Sequence, residues 1–155
     1  LESLVFPLRG EAHELPFPRD FFDTIIAVNS LWYCATSDSY LPWYLLPLLK
    51  PGGQLGIVAP GFYSDIADDY PTHVPDHLKP YWDSCCLAAW HPAEWWRQHL
   101  LKTSQVDVLL ADNFPDGEGY QTYLRWERII GYPEKIAEDD AGQNITFVRL
   151  VARKL

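Results

Sequence analysis

The sequence predicts an α/β fold in which two buried parallel strands are joined by a helix. Two short apolar runs, Phe22 to Val28 and Leu55 to Ala59, have the length and β-branched content of buried strands. A helix-length segment separates them and ends at Lys50-Pro51-Gly52-Gly53. Strand, helix, glycine turn and strand in this order are typical of a parallel sheet. Ligands of such sheets bind at the carboxyl ends of the strands, so we expect chemistry near residues 29–31 and 59–61.

Local residue types predict the elements of the first half. Thr24 to Val28 is apolar on both faces, which favours a central strand covered by helices. Leu4 to Leu8 is a shorter strand candidate. In the helix expected between the two apolar runs, Ser37-Asp38-Ser39 supplies capping oxygens and Pro42 fits the first turn. Pro47 does not fit a first turn, so we expect a kink there or two short helical pieces.

The second half opens with an irregular segment. Residues 61–90 combine recurring prolines with many aromatic residues, which prevents a long helix and predicts an insert that serves as a lid or binding loop. Beyond it we expect a helix from His91, as its N-cap, to Leu101 and a strand from Val106 to Leu110. A turn from Asp112 to Gly117 should lead into a helix from Tyr120 to Ile130, ended by Gly131. We then expect an acidic helix or loop from Glu134 to Asp140 and a last strand from Ile145 to Val151.

Composition excludes several classes of protein. The 155 residues carry a formal net charge of −9, which argues against a nucleic-acid partner because phosphate contacts need clustered Lys and Arg. No apolar stretch approaches the length that crosses a bilayer, so we expect no membrane partner. The three cysteines, Cys34 and the adjacent Cys85-Cys86, fit neither a disulfide framework nor a zinc site. This predicts a reducing, cytoplasmic location.

Three short motifs resemble one family. Glu11-Ala12 precedes Leu15-Pro16-Phe17, Phe22-Asp23 follows, and Leu49 to Gly53 comes a helix length later. In this order they resemble the second half of a class I S-adenosylmethionine-dependent methyltransferase of the type 11 kind. The resemblance covers about the first 60 residues well, and Asn144 to Leu155 resembles the family's last strand. It implies a Rossmann-like methyltransferase sheet whose last strand is antiparallel.

The family's opening units have no counterpart in this sequence. No glycine-rich GxGxG turn precedes a helix of a βα unit, and Gly117-Glu118-Gly119 is interpreted as a turn in a loop. The sequence also has no methionine, so we expect the C-terminal portion of a longer methyltransferase domain, truncated at its N-terminus. The family's strand order, 3-2-1-4-5-7-6, would separate Leu4 to Leu8 from Thr24 to Val28 by two missing strands. That segment is then detached, paired with another molecule, or moved against the Thr24 strand. An exposed strand edge or aromatic surface predicts a homodimer.

The resemblance implies that S-adenosylmethionine is the cofactor and indicates where it binds. The Glu11 carboxylate would accept from the adenine amine, and the backbone N–H that follows it in Glu11-Ala12-His13 would donate to a ring nitrogen. The alternative is a solvated acid in a loop. Asn29-Ser30-Leu31 would lie beside the methionine part, with backbone carbonyls and the Asn29 amide near the ammonium group. The alternative is that Asn29 only ends the strand.

Aromatic residues are the candidates for the acceptor pocket. Trp32, Tyr33 and Tyr63 would face the sulfonium or the acceptor, where an aromatic ring stabilises a nearby cation. The alternative for Trp32 and Tyr33 is packing beneath the following helix. His73 and His77 have the spacing of a helical metal pair, but prolines prevent a helix there and no metal site is predicted. Asp23 and the glycine turn are interpreted as structural.

The functional hypothesis is S-adenosylmethionine-dependent methyl transfer to a small-molecule acceptor, apolar or aromatic in character. We expect the chain by itself to bind the cofactor poorly, because the ribose and carboxylate contacts come largely from the missing turn. The alternative is a non-catalytic Rossmann-like binding or assembly module that has lost the cofactor turn. A GxGxG sequence upstream would favour the enzyme. A dehydrogenase and a hydrolase are disfavoured, because both lack their signature motifs here.

Overall fold

The computed structural model describes residues 4–66, 72–131 and 135–155, and its centre is a four-stranded mixed sheet. The spatial order of the strands is β1-β2-β4-β3. The strands are β1 (Phe22–Val28), β2 (Leu49–Phe62), β3 (Val106–Asn113) and β4 (Ile145–Lys154).

The two apolar runs that predicted the fold lie side by side in parallel. Ile25 is opposite Leu55 and Val28 is opposite Val58. The last strand, β4, inserts between β2 and β3 and is antiparallel to both. The predicted parallel pair and the antiparallel last strand are both confirmed. As a consequence, the carboxyl ends of β1 and β2 lie at the same edge of the sheet.

The glycine turn begins β2 and is fixed by contacts to β1. The Lys50 ammonium group donates to Asp23 Oδ1 at 2.7 Å. Gly53 lies against the same strand, where an added Cβ would be 2.9 Å from the Asp23 carbonyl oxygen and 2.8 Å from that of Lys50. Gly52 has a φ of +77°, a conformation that favours glycine. The structural role expected of Asp23 and of this turn agrees with these contacts.

Short helical pieces connect β1 to β2, as the prolines predicted. A π-helical turn, Leu41–Leu45, is followed by a 3₁₀ turn, Leu46–Leu48. The expected cap is wrong: the π-helical turn begins after Tyr40 without a side-chain cap, and the Ser37 hydroxyl instead accepts the Ser39 N–H at 3.3 Å. The α-helices of the described residues are α1 (Trp32–Ala35), α2 (Ala93–Lys102), α3 (Glu118–Ile130) and α4 (Ile136–Asp140).

The ends of the longer helices are set by different devices. Gly131 ends α3 in a left-handed conformation with φ +63°, as predicted. His91 does not cap α2: the N-cap residue is Pro92, and the His91 ring stacks on Trp95 with centroids 3.6 Å apart.

The core forms one continuous cluster around the sheet. Helix α2 packs on β3 and β4, and α3 packs on β4 and α4. The described part of the proline-rich segment, residues 61–66 and 72–90, continues β2 to Phe62 and then forms irregular turns and two 3₁₀ turns, Lys79–Tyr81 and Leu87–Ala89. It contributes several buried side chains to the core: Phe62, Ile66, Val74, Leu78, Trp82, Cys85, Leu87 and Trp90.

Two expectations about the first strands are wrong. Leu4 to Leu8 forms no strand and is solvent-exposed, with Phe6 84% exposed. It has not moved against β1, whose register is with β2. β1 is an edge strand in the described sheet rather than a central one. Ala27 is buried, but Ile26 and Val28 on the opposite face are 73% and 64% exposed.

Candidate functional site

The carboxyl end of β1 turns sharply at Asn29. This residue has a φ of +50°, in the left-handed region that Asn tolerates better than most residues. Its backbone N–H donates to the Val58 carbonyl at 2.8 Å, which extends the pairing with β2 by one residue. The indole N–H of Trp32 donates to Asn29 Oδ1 at 3.2 Å. These bonds hold the amide at the sheet edge and leave its NH₂ group as the remaining donor.

An aromatic cleft of about 270 Å³ opens beside this turn. It is bounded by the end of β1, by α1, by the proline-rich segment and by α3. Ring contacts link its walls: Trp32 meets Trp90 at 6.2 Å, and Trp90 meets Tyr123 at 5.3 Å between ring centroids. The lining residues are Asn29, Trp32, Tyr33, Ser84, Cys85, Cys86, Trp90, Tyr123, Trp126 and Ile130.

A second, shallower cavity of about 430 Å³ adjoins the cleft. Asn29 and Trp126 line both. The second cavity runs across the parallel pair at the level where β1 ends, with Val28 from β1 and Val58 from β2 in its wall. A ligand in one cavity would therefore be close to a ligand in the other.

The Glu11-Ala12-His13 loop lies near α1 and the π-helical turn. The Tyr40 hydroxyl donates to the Ala12 carbonyl at 3.3 Å, and the His13 ring meets the Tyr40 ring edge-on at 5.0 Å. His13 Nδ1 lies 3.1 Å from Glu11 Oε1, and this hydrogen bond holds the pKa of the exposed Glu11 carboxyl below its usual value. Burial, together with the nearby charges of Cys34 and Glu11, raises the pKa of Tyr40 to about 12. Tyr40 is therefore a neutral donor at physiological pH.

The structure brings part of the predicted site together. Asn29, Trp32 and Tyr33 line the cleft. Leu31 is 7% exposed, and its carbonyl accepts the N–H groups of Cys34 and Ala35 within α1. Ser30, between Asn29 and Leu31 in the sequence, is exposed.

Tyr63 stands apart from the cleft lining. It follows the last residue of β2, its ring is 39% exposed, and its backbone N–H donates to the Asn144 carbonyl at 2.9 Å. His77, considered above for a metal, donates from Nε2 to Asp140 Oδ1 at 3.1 Å, from a turn and not from a helix. It links the proline-rich segment to α4.

Several lining residues were not predicted from the sequence. Tyr123, Trp126 and Ile130 form one stripe of α3, at the spacing of successive helix turns. This periodicity was a usable signal for a buried helix face. Nothing local in the sequence indicates that the stripe meets the end of β1, about 100 residues earlier.

Comparison with known proteins agrees with this architecture. Neither a protein-family model nor a curated protein matches the sequence. Solved structures do match. One is geranyl diphosphate C-methyltransferase from Streptomyces coelicolor A3(2), in complex with Mg²⁺, geranyl diphosphate and S-adenosyl-L-homocysteine. Its TM-score is 0.66 at 11% identity, over 94% of this chain and 51% of that one.

A second matching solved structure is also a methyltransferase. Phosphoethanolamine N-methyltransferase 2 from Haemonchus contortus, in complex with S-adenosyl-L-methionine, has a TM-score of 0.63 at 19% identity, over 93% of this chain and 36% of that one. The fold is that of a Rossmann-like methyltransferase. The [4+2]-cyclase SpnF also has it, with a TM-score of 0.60 at 20% identity over 94% of this chain and 54% of that one. The methyltransferase fold is therefore shared with a protein named for another reaction.

The chain spans only part of these structures. It covers 36–54% of their lengths. The matched part contains the sheet described above, with its parallel β1–β2 pair and antiparallel β4. Within the residues that the structure describes, no helix is both long and apolar enough to cross a membrane.

Proposed function

We propose that this chain forms the acceptor side of an S-adenosylmethionine-dependent methyltransferase that acts on a small molecule, and that it is the C-terminal portion of the methyltransferase domain. The observation that supports this most directly is the aromatic cleft at the carboxyl end of β1, in a sheet with the methyltransferase fold. In such folds this edge of the sheet is where ligands bind.

The chemistry of methyl transfer suits the lining of the cleft. The sulfonium cofactor supplies an activated methyl group, and the protein has to align the acceptor and exclude water. An uncharged wall of Trp and Tyr side chains provides a dry, rigid surface for this purpose. The reaction does not require an acid–base pair of side chains in the cleft.

Residues of two segments would hold the cofactor. The amide of Asn29 lies at the sheet edge, shared by both cavities, and its Oδ1, which already accepts from Trp32, would accept a second hydrogen bond from the ammonium group of the methionine part. The Glu11 carboxylate is exposed, the His13 hydrogen bond holds its pKa below the ordinary value of 4.5, and it would accept from the adenine amine. These acceptors fit the cofactor in part. The ribose and carboxylate contacts would come from glycine-rich βα units that this sequence does not contain.

We also propose a location in the cell, and a second candidate function remains. The three cysteines are free thiols, which supports a reducing, cytoplasmic location. The second candidate is a non-catalytic binding or assembly module that has lost the cofactor turn, and it would be favoured by an upstream sequence without a GxGxG turn.

Donor binding distinguishes the two candidates. S-adenosylhomocysteine would be titrated by calorimetry into this chain and into a longer protein that carries glycine-rich βα units ahead of Leu1. We expect micromolar affinity for the longer protein and at least about a hundredfold weaker binding for the chain alone, since several hydrogen bonds are lost. In the longer protein, Glu11→Gln and Asn29→Ala should each weaken binding about tenfold.

The matched control is Glu14→Gln, an exposed acid of the same loop, which should leave the affinity unchanged. Micromolar binding by the chain alone would refute the dependence on the missing units. No binding by the longer protein would overturn the methyltransferase proposal and favour the module.

A further inference from the structure

We infer that the aromatic cleft selects a flat, uncharged ring system that bears a hydroxyl or carbonyl oxygen. This inference rests on the proposed function, because it names the class of acceptor for the same site. Three observations support it: the size and ring content of the cleft, the charge of its lining, and one buried N–H group of Trp90.

The cleft has the dimensions of a small ring system. At about 270 Å³ it lies just below the range of roughly 300–1,000 Å³ that is usual for ligand pockets. Five of its lining residues are Trp or Tyr, and rigid aromatic walls favour flat partners. The lining residues that the structure describes come from positions 29–130 of this chain.

The lining disfavours charged ligands. Among the described residues that form the cleft, none is an Asp, Glu, Lys, Arg or His. A carboxylate or phosphate placed there would lose its hydration without gaining a counter-ion from these described residues. A cation needs open ring faces. The Trp32 face is covered by Tyr33, at 3.7 Å and 25°, and Trp90 meets Trp32 edge-on at 82°.

Trp90, in the wall of the cleft, carries the N–H group that would supply the polar contact. Its side chain is 2% exposed, and its Nε1–H has no acceptor among the residues that the structure describes. Trp32 differs, since its indole N–H is bonded to Asn29 Oδ1. Buried indole N–H groups usually have a partner. A hydroxyl or carbonyl oxygen on the bound ring would accept from Trp90 and satisfy this donor.

The test compares four compounds that share the naphthalene ring system. Naphthalene, 2-naphthol, 2-naphthoate and 2-naphthylmethylammonium would be titrated at pH 7 against the chain, with binding followed by ligand-observed NMR. We expect 2-naphthol to bind at least fivefold more tightly than either charged compound. Trp90→Phe keeps an aromatic ring and removes the N–H. It should weaken 2-naphthol binding about three- to tenfold, the effect of one hydrogen bond, and naphthalene binding less than twofold.

Two further substitutions locate the binding. Trp126→Ala in the cleft should weaken all ring compounds, whereas Trp43→Ala, at a side chain 75% exposed outside the cleft, should change nothing. Thermal unfolding of each variant checks that it is folded. Should Trp90→Phe unfold, the Trp126→Ala and Trp43→Ala variants still test where the compounds bind, and the charged compounds still test the preference for an uncharged ring. The inference is overturned by equal or tighter binding of a charged compound, by an equal effect of Trp90→Phe on both neutral compounds, by equal effects of the two Ala variants, or by a folded chain that binds none of them.

These titrations need no methyl donor. Failure here, with donor binding intact in the longer protein, rejects the acceptor class and leaves methyl transfer standing. Success here without donor binding rejects methyl transfer and leaves a ring-binding module.

Discussion

Glu127 accepts the backbone N–H of Ala137 with both carboxylate oxygens, at 3.1 and 3.2 Å, although Glu127 is only 5% exposed. The bond joins α3, which lines the cleft, to α4, which follows it. Burial raises the pKa of Glu127 to about 6, and the Ala137 hydrogen bond opposes the shift without cancelling it. A buried carboxylate therefore supports the helix of Tyr123 and Trp126 at some cost in stability near neutral pH.

The first prediction concerns the pH dependence of this cost. The folded-state pKa of Glu127 lies above its ordinary value of 4.5. The free energy of unfolding therefore has its full value below about pH 4.5 and falls as the pH rises through about 6. At pH 7 the loss amounts to up to about 2 kcal/mol. Glu127→Gln should remove this slope from the free energy of unfolding in urea, measured between pH 4.5 and 7. Exposed Glu14→Gln is the control; a slope that Glu127→Gln leaves unchanged would contradict the assignment.

Asp140 should be the most sensitive carboxylate in the described structure. It is fully buried and accepts from Asn144 N at 2.9 Å, Ile145 N at 2.9 Å and His77 Nε2 at 3.1 Å. Burial opposes ionisation of Asp140, but these hydrogen bonds outweigh it and hold its pKa below 3.8. Its contribution to stability is thus present above pH 3.8 and is lost as the pH falls below it.

Asp140→Ala should lower the free energy of unfolding by about 2–4 kcal/mol, because it leaves buried N–H groups without an acceptor. Asp139→Ala, which removes only the exposed contact to the Tyr81 hydroxyl, should cost less than about 1 kcal/mol. Denaturant unfolding compares the two. Equal losses would show that burial of the Asp140 contacts does not matter.

The adjacent glycines of the turn before β2 should respond differently to alanine. At Gly53 a Cβ would collide with the carbonyl oxygens of Lys50 and Asp23, so Gly53→Ala should destabilise by about 3 kcal/mol. At Gly52 the space is open and only the positive φ opposes a side chain, so Gly52→Ala should cost about 1 kcal/mol. Thermal unfolding at equal concentration orders the two variants. A larger loss for Gly52→Ala than for Gly53→Ala would contradict the close approach of the backbone at Gly53.

The exposed segment at the start of the described chain should add little stability. Phe6 is 84% exposed and Phe62 is 0% exposed, so the same substitution tests both environments. Phe6→Ala should change the free energy of unfolding by less than about 0.5 kcal/mol, and Phe62→Ala should lower it by about 3–5 kcal/mol. A loss of 2 kcal/mol or more for Phe6→Ala in urea titrations would show that this segment packs in solution.

The sequence was sufficient to predict the local half of the fold. Two β-branched runs with a glycine turn before the second defined the parallel pair, because strand length and turn chemistry are local properties. The left-handed end of α3 at Gly131 was equally local. The edge position of β1 was not: an apolar run has the same composition whether or not its second face is covered, and Ile26 and Val28 are exposed.

The candidate site was predicted in part for the same reason. Asn29 and Trp32 follow directly from the end of a strand, so their place in the cleft was accessible from the sequence. Trp90, Tyr123 and Trp126 reach the cleft through tertiary packing of the proline-rich segment and α3. Aromatic residues in those segments are compatible with any core, so their meeting point required coordinates.

Photo-labelling tests the central claim most directly. Ultraviolet irradiation of the longer protein with methyl-labelled S-adenosylmethionine, followed by peptide mapping, reports which side chains lie beside the methyl group. We predict label within residues 29–33, at the carboxyl end of β1, and loss of that label when excess S-adenosylhomocysteine competes. Competed label confined to peptides outside residues 29–33 and the other cleft-lining positions would contradict the account.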